Sequence, residues 1–303
     1  MQGDFENGLP LYESRWDSGK VSELIGKRFF DKPTWLGKEP LQSKAILLYG
    51  EQGLGDFIQF CRYVKLVSDL GAKVILETPQ SLASLMRSLE GVSELVIKGE
   101  ELPFFDYQCP ILSLPLAFKT KLDTIPNSSR YINLDNHLNK VIEWKARLGS
   151  KFNPRVGLVW SGSPHHKNDH NRSLLLADIL PFLPSQLEYI SLQKEVREVD
   201  KLTLDSNPHI LSFTGYLNDF VDTAALIDNL DLVISVDTSV AHLSGALGKK
   251  TLVLLPNMPD WRWLLDVEDS PWYPSMKLFR QPAAGDWSSV LDKVKLDLSS
   301  SFS

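Results

Sequence analysis

The stretch at residues 230–248 constrains the fold of this chain more than any other. It begins with a continuous apolar run at residues 232–236, the pattern of a strand buried on both faces of a parallel sheet. Asp237, Thr238 and Ser239 follow, and all three are residue types that favour helix N-caps. A helical pattern completes the stretch. It therefore predicts a strand, a sharp turn and a helix whose first N–H groups suit phosphate, although the same residues would also cap an ordinary helix.

Strand patterns alternate with helical patterns along most of the chain, in two successive sets. The predicted strands lie at residues 44–49, 73–77, 94–97 and 106–109 in the first set, and at 155–160, 187–192, 209–211, 232–236 and 251–255 in the second. Such alternation is typical of parallel sheets flanked by helices. We therefore expect an α/β protein of two Rossmann-like, doubly wound domains that face a cleft.

The boundary between these two domains is predicted at residue 150, giving domains of residues 1–150 and 151–303. The first 40 residues carry little strand pattern, and their scattered aromatic side chains predict an irregular arm held down by its rings. The final helical pattern, at residues 287–298, is a candidate to cross back to the first domain.

Composition narrows the class of protein. The chain has 303 residues, 43% of them hydrophobic, and a net charge of -6, which argues against nucleic acid as the main partner. Cys61 and Cys109 offer no disulfide framework, which fits a reducing compartment. Residues 1–10 are polar and acidic, unlike a secretory signal, and no apolar stretch is long enough to cross a bilayer. We expect a cytoplasmic protein without a transmembrane segment.

The loop at residues 50–56 follows the first predicted strand and is rich in glycine, which lets the backbone turn tightly and approach a ligand. Its glycine spacing matches neither a P-loop nor a dinucleotide fingerprint, although Glu77 lies about where a dinucleotide ribose ligand would be. Asp56 stands at the start of the next helix. Its carboxylate can act as a general base or only serve the helix dipole, and spacing alone favours the second role.

The loop at residues 161–173 follows the first strand of the second set. Its three histidines raise the question of a metal site; they are His165, His166 and His170. No cysteine accompanies them in this loop, and a metal site is therefore not favoured. Lys167 and Arg172 are better explained as cations for a diphosphate, with a solvated loop as the alternative.

Aromatic residues are dense between residues 254 and 274. Trp261, Trp263, Trp272 and Tyr273 have rings that can stack on a base or a sugar, but most of them are expected in the core.

Four segments together resemble the glycosyltransferase module at the carboxyl end of many bacterial tetratricopeptide-repeat proteins. They are residues 50–56 with 58–60, residues 157–162 with 171–173, residues 236–242, and residues 259–264 with 270–274. The segments resemble more distantly the lipopolysaccharide heptosyltransferases of glycosyltransferase family 9. The resemblance extends from about Tyr12 to the end of the chain. The repeats that usually precede the module are absent from the sequence, so any acceptor selection they perform would be absent or supplied by another chain.

The resemblance implies a GT-B fold, with an acceptor-side first domain and a second domain that holds a nucleotide sugar. It implies transfer without a metal or other cofactor, with Asp56 as the proposed base. The residues it places at the donor diphosphate are Lys167, Arg172, Ser173, Asp237, Thr238, Ser239 and His242. Further cleft-loop residues are Gly53, Gly55, Gln59, Ser161 and Gly162. We assign Asp237 to capping or to holding the turn, because a carboxylate repels phosphate.

The leading hypothesis is metal-independent transfer of a sugar from a nucleotide sugar to a hydroxyl of a glycan, lipid-linked or protein acceptor. An epimerase of the same fold, acting on a nucleotide sugar alone, is one alternative. A non-catalytic module that binds a nucleotide sugar is another. An NAD-dependent dehydrogenase is the weakest alternative, because the first loop has the wrong glycine spacing.

Overall fold

The structure, a computed structural model, describes residues 2–17 and 27–302. The chain divides into two compact units, Gln2–Asn133 and Leu134–Ser303. Each unit is built on its own parallel sheet with helices around it. The fold class is therefore α/β with two parallel sheets.

The sheet of the first unit has the strand order β3-β2-β1-β4. Its strands are β1 (Ala45–Tyr49), β2 (Lys73–Thr78), β3 (Glu94–Ile97) and β4 (Tyr107–Pro110). Its helices are α1 (Phe5–Tyr12), α2 (Leu54–Phe60), α3 (Val64–Asp69), α4 (Gln80–Met86) and α5 (Leu114–Ala117), with 3-10 turns at Glu13–Trp16, Cys61–Tyr63, Ile111–Ser113 and Leu122–Thr124. The order reverses between β1 and β4, which is where ligands bind in sheets of this kind.

The sheet of the second unit has the order β10-β9-β8-β5-β6-β7. Its strands are β5 (Arg155–Val159), β6 (Glu188–Ser191), β7 (Ile210–Ser212), β8 (Leu232–Val236), β9 (Thr251–Leu255) and β10 (Met276–Arg280). Its helices are α6 (Leu138–Leu148), α7 (Asp169–Arg172), α8 (Leu176–Ile179), α9 (Glu198–Asp205), α10 (Phe220–Asp228), α11 (Ser239–Ala246) and α12 (Trp287–Ser301). Counted within the unit, this is the strand order of dinucleotide-binding folds, with its reversal between β5 and β8.

The core of the second unit explains why its strands read as continuous apolar runs. All five residues of β8 are buried, and Leu232, Ile234 and Val236 pack in one cluster with side chains of the neighbouring strands. Helix α12 covers this cluster with Val290 and Val294, four residues apart on its apolar face. The structure therefore places the last helix in the second unit, against that unit's own sheet.

The N-terminal arm is more regular than the sequence suggests. Helix α1 forms because the carboxylate of Asp4 accepts the N–H of Asn7 at 3.2 Å, while Phe5 and Leu9 bury on one side. The prediction of an irregular arm is wrong for these residues. The helix is hard to recognise in the sequence because only two of its side chains are buried and because it contains Pro10. Further along the arm, Trp35 is buried as its aromatic character predicts.

Two other features differ from the sequence interpretation. Strand β10 was not predicted; it pairs with β9 from Met276 to Arg280. Helix α6 precedes the predicted boundary at residue 150 but lies within the second unit. There, Trp144 Nε1 donates to Asp222 at 3.3 Å and Asn229 donates to the carbonyl of Val141 at 3.0 Å.

Within residues 2–17 and 27–302, no helix combines the length and apolarity that crossing a bilayer requires.

Candidate functional site

The two loops that the sequence singled out in the second unit leave from the same point of its sheet. Val159 at the end of β5 lies opposite Ser235 of β8 in the parallel register. The loop at residues 161–173 follows β5, and Asp237 and Thr238 follow β8. Both therefore leave the carboxyl edge where the strand order reverses, the place at which open α/β sheets bind ligands.

Arg172 connects the loop of residues 161–173 to the turn at Asp237 and Thr238. Its Nη1 donates to the backbone carbonyl of Asp237 at 2.7 Å. Its guanidinium lies flat against Gly162, where an added Cβ would come within 2.5 Å of Nη2. Its Nε is buried and makes no hydrogen bond within the described part of the chain, although a carboxylate oxygen of Asp169 lies 3.7 Å away. Arg172, which the sequence predicts as a cation for a diphosphate, thus also connects the loop and the turn within the protein.

Ser173 and an arginine that the sequence analysis missed fix the shape of the loop. Ser173 Oγ accepts the N–H of Gly162 at 3.0 Å and donates to Asp169 at 2.8 Å. Arg197 donates to the carbonyl of Gly162 at 2.8 Å and to the other oxygen of Asp169 at 2.5 Å. The hydroxyl of Ser173 therefore stabilises the shape of the loop. Arg197 stands outside every recognised motif, and only the fold brings it here.

Ser161 is held from the neighbouring strand. Gln193, which follows β6, accepts the backbone N–H of Ser161 at 3.3 Å and donates to its hydroxyl at 3.0 Å. Both side chains are buried. The structure thus gives Ser161 a place in the support of the loop, and it adds Gln193, for which the sequence carries no signal.

Helix α11 begins without a side-chain cap. Thr238 occupies the N-cap position with an extended backbone, but no side chain in the described part of the chain accepts the first N–H groups of the helix. The hydroxyl of Thr238 instead shares a hydrogen bond of 3.2 Å with that of Ser235. Thr238 and Ser239 are half-buried. Capping by Asp237 is therefore not observed, and the N–H groups at Ser239 and Val240 are suited to an anion.

Asp237 and His242 form a pair beneath the turn. A carboxylate oxygen of Asp237 lies 3.8 Å from His242 Nε2, and His242 Nδ1 shares a hydrogen bond of 2.9 Å with the hydroxyl of Tyr273. The imidazole stacks on Trp263 with 5.3 Å between ring centres. His242 is buried, so the structure places it among the side chains that order the turn.

The carboxyl group of Asp237 has an unusual proton affinity. Its surroundings raise its pKa to about 6, chiefly because burial disfavours the charged form and because the carboxylate of Asp260 lies nearby. The guanidiniums of Arg262 and Arg172 oppose this shift. A proton on Asp237 would remove a negative charge beside the helix N-terminus.

The aromatic residues beyond β9 are mostly core, as expected. Trp263, Trp272 and Tyr273 are buried, whereas Trp261 is half-buried and lies edge-on to Trp272 at 6.1 Å between centres. Trp263 and Tyr273 therefore support the turn at residues 237–239 through their contacts with His242.

The histidine-rich part of the loop is exposed at its tip. Lys167 and His165 are exposed, and Asn168 turns back onto the ring of His166, to which its N–H donates at 3.2 Å. Across residues 2–17 and 27–302, no three His, Cys, Asp or Glu side chains come together as metal ligands would.

In the first unit, Asp56 serves the start of helix α2. Its Oδ2 accepts the N–H of Gly53 at 2.8 Å, the backward contact of a capping box. Asp56 and Gly55 are half-buried and Gly53 is exposed. Gln59 is fully buried, and neither amide atom of its side chain hydrogen-bonds to a residue that the structure describes.

Glu51, in the same loop, was missed by the sequence analysis. Its carboxylate is buried and lies 3.0 Å from Nη2 of Arg15. Burial raises the pKa of Glu51 to about 7, although Arg15 opposes the shift. At the end of β2, Glu77 forms an ion pair with Arg28. Because that carboxylate is already engaged, the arrangement disfavours a dinucleotide ribose there.

The fold described above is that of family 9 glycosyltransferases in several solved structures. One from Veillonella parvula, described as a glycosyl transferase of family 9, superposes with a TM-score of 0.61 at 10% identity and covers 87% of this chain and 98% of its own. The ADP-heptose lipopolysaccharide heptosyltransferase II of Escherichia coli gives 0.54 at 11% identity, over 84% and 99%. TibC of Escherichia coli, an iron-containing dodecameric heptosyltransferase solved with ADP-D-β-D-heptose, gives 0.57 at 11% identity, over 88% and 79%.

Sequence comparison finds a curated relative, the protein FlbA of Caulobacter vibrioides. It is 25% identical over an alignment that covers 96% of this chain and 52% of FlbA. The chain thus spans about half the length of this relative. No family model matches the chain.

Proposed function

We propose that this chain is a glycosyltransferase that moves a sugar from a nucleotide sugar to a hydroxyl of an acceptor, with its two units arranged as a GT-B fold. The observation that carries the proposal is the joined loop and turn of the second unit. Arg172, itself bonded to the carbonyl of Asp237, lies beside the uncapped N-terminus of α11 at the strand-order reversal. A cation and free N–H groups together suit a diphosphate.

The leaving diphosphate gains negative charge as the bond to the sugar breaks. The N–H groups at Ser239 and Val240, with the guanidinium of Arg172, are fixed by the protein before the reaction and would stabilise that charge. Lys167, exposed on the same loop, would add a mobile cation. The protein supplies these charges itself, so the proposed transfer is metal-independent. The complex of TibC with ADP-D-β-D-heptose supports a nucleotide sugar as the donor class.

We assign the general base to Asp56. A carboxylate at this position can accept the proton of the acceptor hydroxyl as the oxygen attacks the anomeric carbon. Its bond to the N–H of Gly53 uses one face of Oδ2 and orients the group. The acceptor is a glycan, a lipid-linked sugar or a protein. The cytoplasm remains the expected compartment, because Cys61 and Cys109 are both free thiols.

The donor assignment is tested by thermal shift with ADP, UDP, GDP and CDP, each with and without EDTA. We expect one nucleoside diphosphate to raise Tm, because a ligand that binds only the folded state stabilises it, and EDTA should leave the shift unchanged. Arg172→Met should weaken that nucleotide roughly 10- to 100-fold, since a charge-assisted contact is lost. The matched control is Arg147→Met, an arginine of the same unit that stacks on Tyr216 at 3.6 Å.

Failure of all four nucleotides to raise Tm would overturn the proposal. A shift that responds equally to Arg172→Met and to Arg147→Met would reject the assigned site. Binding without nucleotide release, for any acceptor tried, would favour a non-catalytic module, and conversion of the donor alone would favour an epimerase.

The base is tested by Asp56→Asn. The amide oxygen of Asn can still accept the N–H of Gly53, so the start of α2 should survive while the base is lost. We expect kcat to fall by roughly 10²- to 10⁴-fold with donor affinity within two-fold of wild type. Near-normal turnover would reject Asp56 as the base.

A further inference from the structure

We propose that Arg15, in the N-terminal arm, is a positioning residue for the reaction: it holds the loop of residues 50–56 in its working shape by pairing with Glu51. The arm would then be part of the catalytic apparatus of the first unit. This inference rests on the proposed function, because it gives that loop, through Asp56, its role in proton transfer.

The ion pair is buried and multiply bonded. Arg15 Nη2 lies 3.0 Å from Glu51 Oε1 and donates to the hydroxyl of Ser113 at 2.7 Å, while Nη1 reaches Glu13 at 2.5 Å. The side chain of Arg15 is 5% exposed and that of Glu51 is wholly buried. The hydroxyl of Ser113 in turn donates to Glu13 at 2.9 Å, which closes the network.

A second contact fastens the arm to the adjacent residue of the loop. Gln52 Nε2 donates to the hydroxyl of Tyr12 at 2.7 Å. The guanidinium of Arg15 lies over the ring of Tyr12 at 4.6 Å and over that of Trp16 at 4.7 Å. The arm therefore makes side-chain hydrogen bonds to Glu51 and Gln52, two consecutive residues of the loop.

The location of this network is what gives it a functional meaning. Glu51 follows β1 and Ser113 follows β4, the two strands between which the order of the first sheet reverses. At the corresponding reversal of the second sheet, the loops are those proposed to hold the diphosphate. In the first unit the protein's own guanidinium joins the two loops at this reversal. The arm thus sets the geometry of a ligand-binding edge.

Electrostatics makes Arg15 necessary for the loop to keep this shape. Oε2 of Glu51 makes no hydrogen bond within residues 2–17 and 27–302, so the pair with Arg15 carries most of the compensation for its buried charge. Among the described residues, the titratable groups that interact with Glu51 are Arg15, Asp56, Tyr49 and Cys109, and Glu13 shares Arg15 with it. Of these groups, Arg15 alone is a cation. Without it, Glu51 must take up a proton or pull the loop toward water.

The test compares Arg15→Met, Arg15→Lys and the double variant Arg15→Met/Glu51→Gln in the full chain. Backbone hydrogen exchange at residues 50–56 is measured alongside kcat and the donor KM. We expect Arg15→Met to speed exchange at least ten-fold and to lower kcat at least ten-fold, with donor KM within two-fold. Arg15→Lys should recover part of kcat. The double variant should recover both quantities, because no buried charge remains unpaired. Lys73→Met, which removes an exposed ion pair with Glu94 in the same unit, is the control.

Three results would overturn the inference: unchanged exchange at residues 50–56 in Arg15→Met, equal loss of kcat in the single and double variants, or an equal effect of Lys73→Met. A wild-type chain that neither binds nucleotide nor turns over would reject the proposed function. In that case exchange still decides whether Arg15 holds the loop, and recovery in the double variant still decides whether it acts through Glu51.

Discussion

A carboxylate beside a proposed phosphate site needs a physical explanation, and Asp237 is such a residue. Its backbone carbonyl is bonded to Arg172, while its side chain lies 3.8 Å from His242. Burial and the nearby Asp260 raise the pKa of Asp237 to about 6. Above that pH the group is mostly charged and would repel a diphosphate bound at the turn; below that pH the repulsion would disappear.

Asp237→Asn should therefore tighten nucleoside diphosphate binding, and more so at high pH. The ratio of wild-type to variant Kd is expected to stay near one at pH 5 and to rise several-fold between pH 5 and 7.5, because the wild-type carboxyl ionises in that window while the amide does not. Isothermal titration at four pH values measures it. Using the ratio removes the ionisation of the phosphate itself, which both proteins share. A ratio independent of pH would exclude this role.

At the residue level the sequence selected segments that the structure brings to the carboxyl edges of the two sheets, and their binding roles stay predictions. Arg172, Ser173 and His242 were identified from motifs, yet the structure shows each of them also bonded within the protein. Arg197 and Glu51 were missed. Arg197 reaches the loop of residues 161–173 only through the fold, and the role of Glu51 depends on its pair with Arg15 in the arm, so no spacing in the sequence could have revealed them.

Among the elements, the loop of residues 161–173 depends on a glycine at its start. Gly162 has an ordinary backbone conformation, but its missing Cβ leaves the space that the guanidinium of Arg172 fills. Close approach of this kind is what glycine permits and any larger residue prevents. The shape of the loop and the direction of the cation are therefore coupled at one position.

Gly162→Ala should displace Arg172 without unfolding the protein. The added Cβ would meet only the end of a flexible side chain, so we expect the free energy of unfolding to change by less than about 1 kcal/mol. Nucleotide affinity should fall roughly ten-fold, since Arg172 loses its bond to the carbonyl of Asp237. Urea unfolding and nucleotide titration measure the two effects. Gly215→Ala, in the 3-10 turn Thr214–Tyr216 where nothing lies within 4 Å of the new Cβ, is the control, and an equal loss of affinity there would refute the coupling.

The elements themselves were largely predictable because buried parallel strands leave long apolar runs. Strand β8 runs from Leu232 to Val236, the residues of the apolar run. Strand β10 was missed because Lys277 and Arg280 interrupt its apolar pattern at the end of the sheet order. Helix α1 was missed because its short pattern contains Pro10.

At the scale of the whole molecule, the two units use the same edge of the same kind of sheet differently. In the second unit the reversal between β5 and β8 carries Arg172, a helix N-terminus without a side-chain cap and a carboxyl group of raised pKa. In the first unit the reversal between β1 and β4 is joined by the pair of Arg15 and Glu51. We propose from this difference that the second unit takes the donor and the first unit takes the acceptor.

The buried Glu51 should leave a signature in the pH dependence of global stability. Its pKa is raised from the ordinary value of 4.5 to about 7, so its contribution to stability is full below pH 4.5 and is lost as the pH rises through 7. The loss is up to about 3 kcal/mol, and Gln cannot show it. The free energy of unfolding of Glu51→Gln, relative to that of wild type, should therefore rise as the pH increases from 4.5 to 7 and stay constant above pH 7. Urea unfolding of both proteins across this range, with Glu94→Gln as an exposed control, measures the difference. Parallel profiles for wild type and Glu51→Gln would show that burial does not raise the pKa of this group.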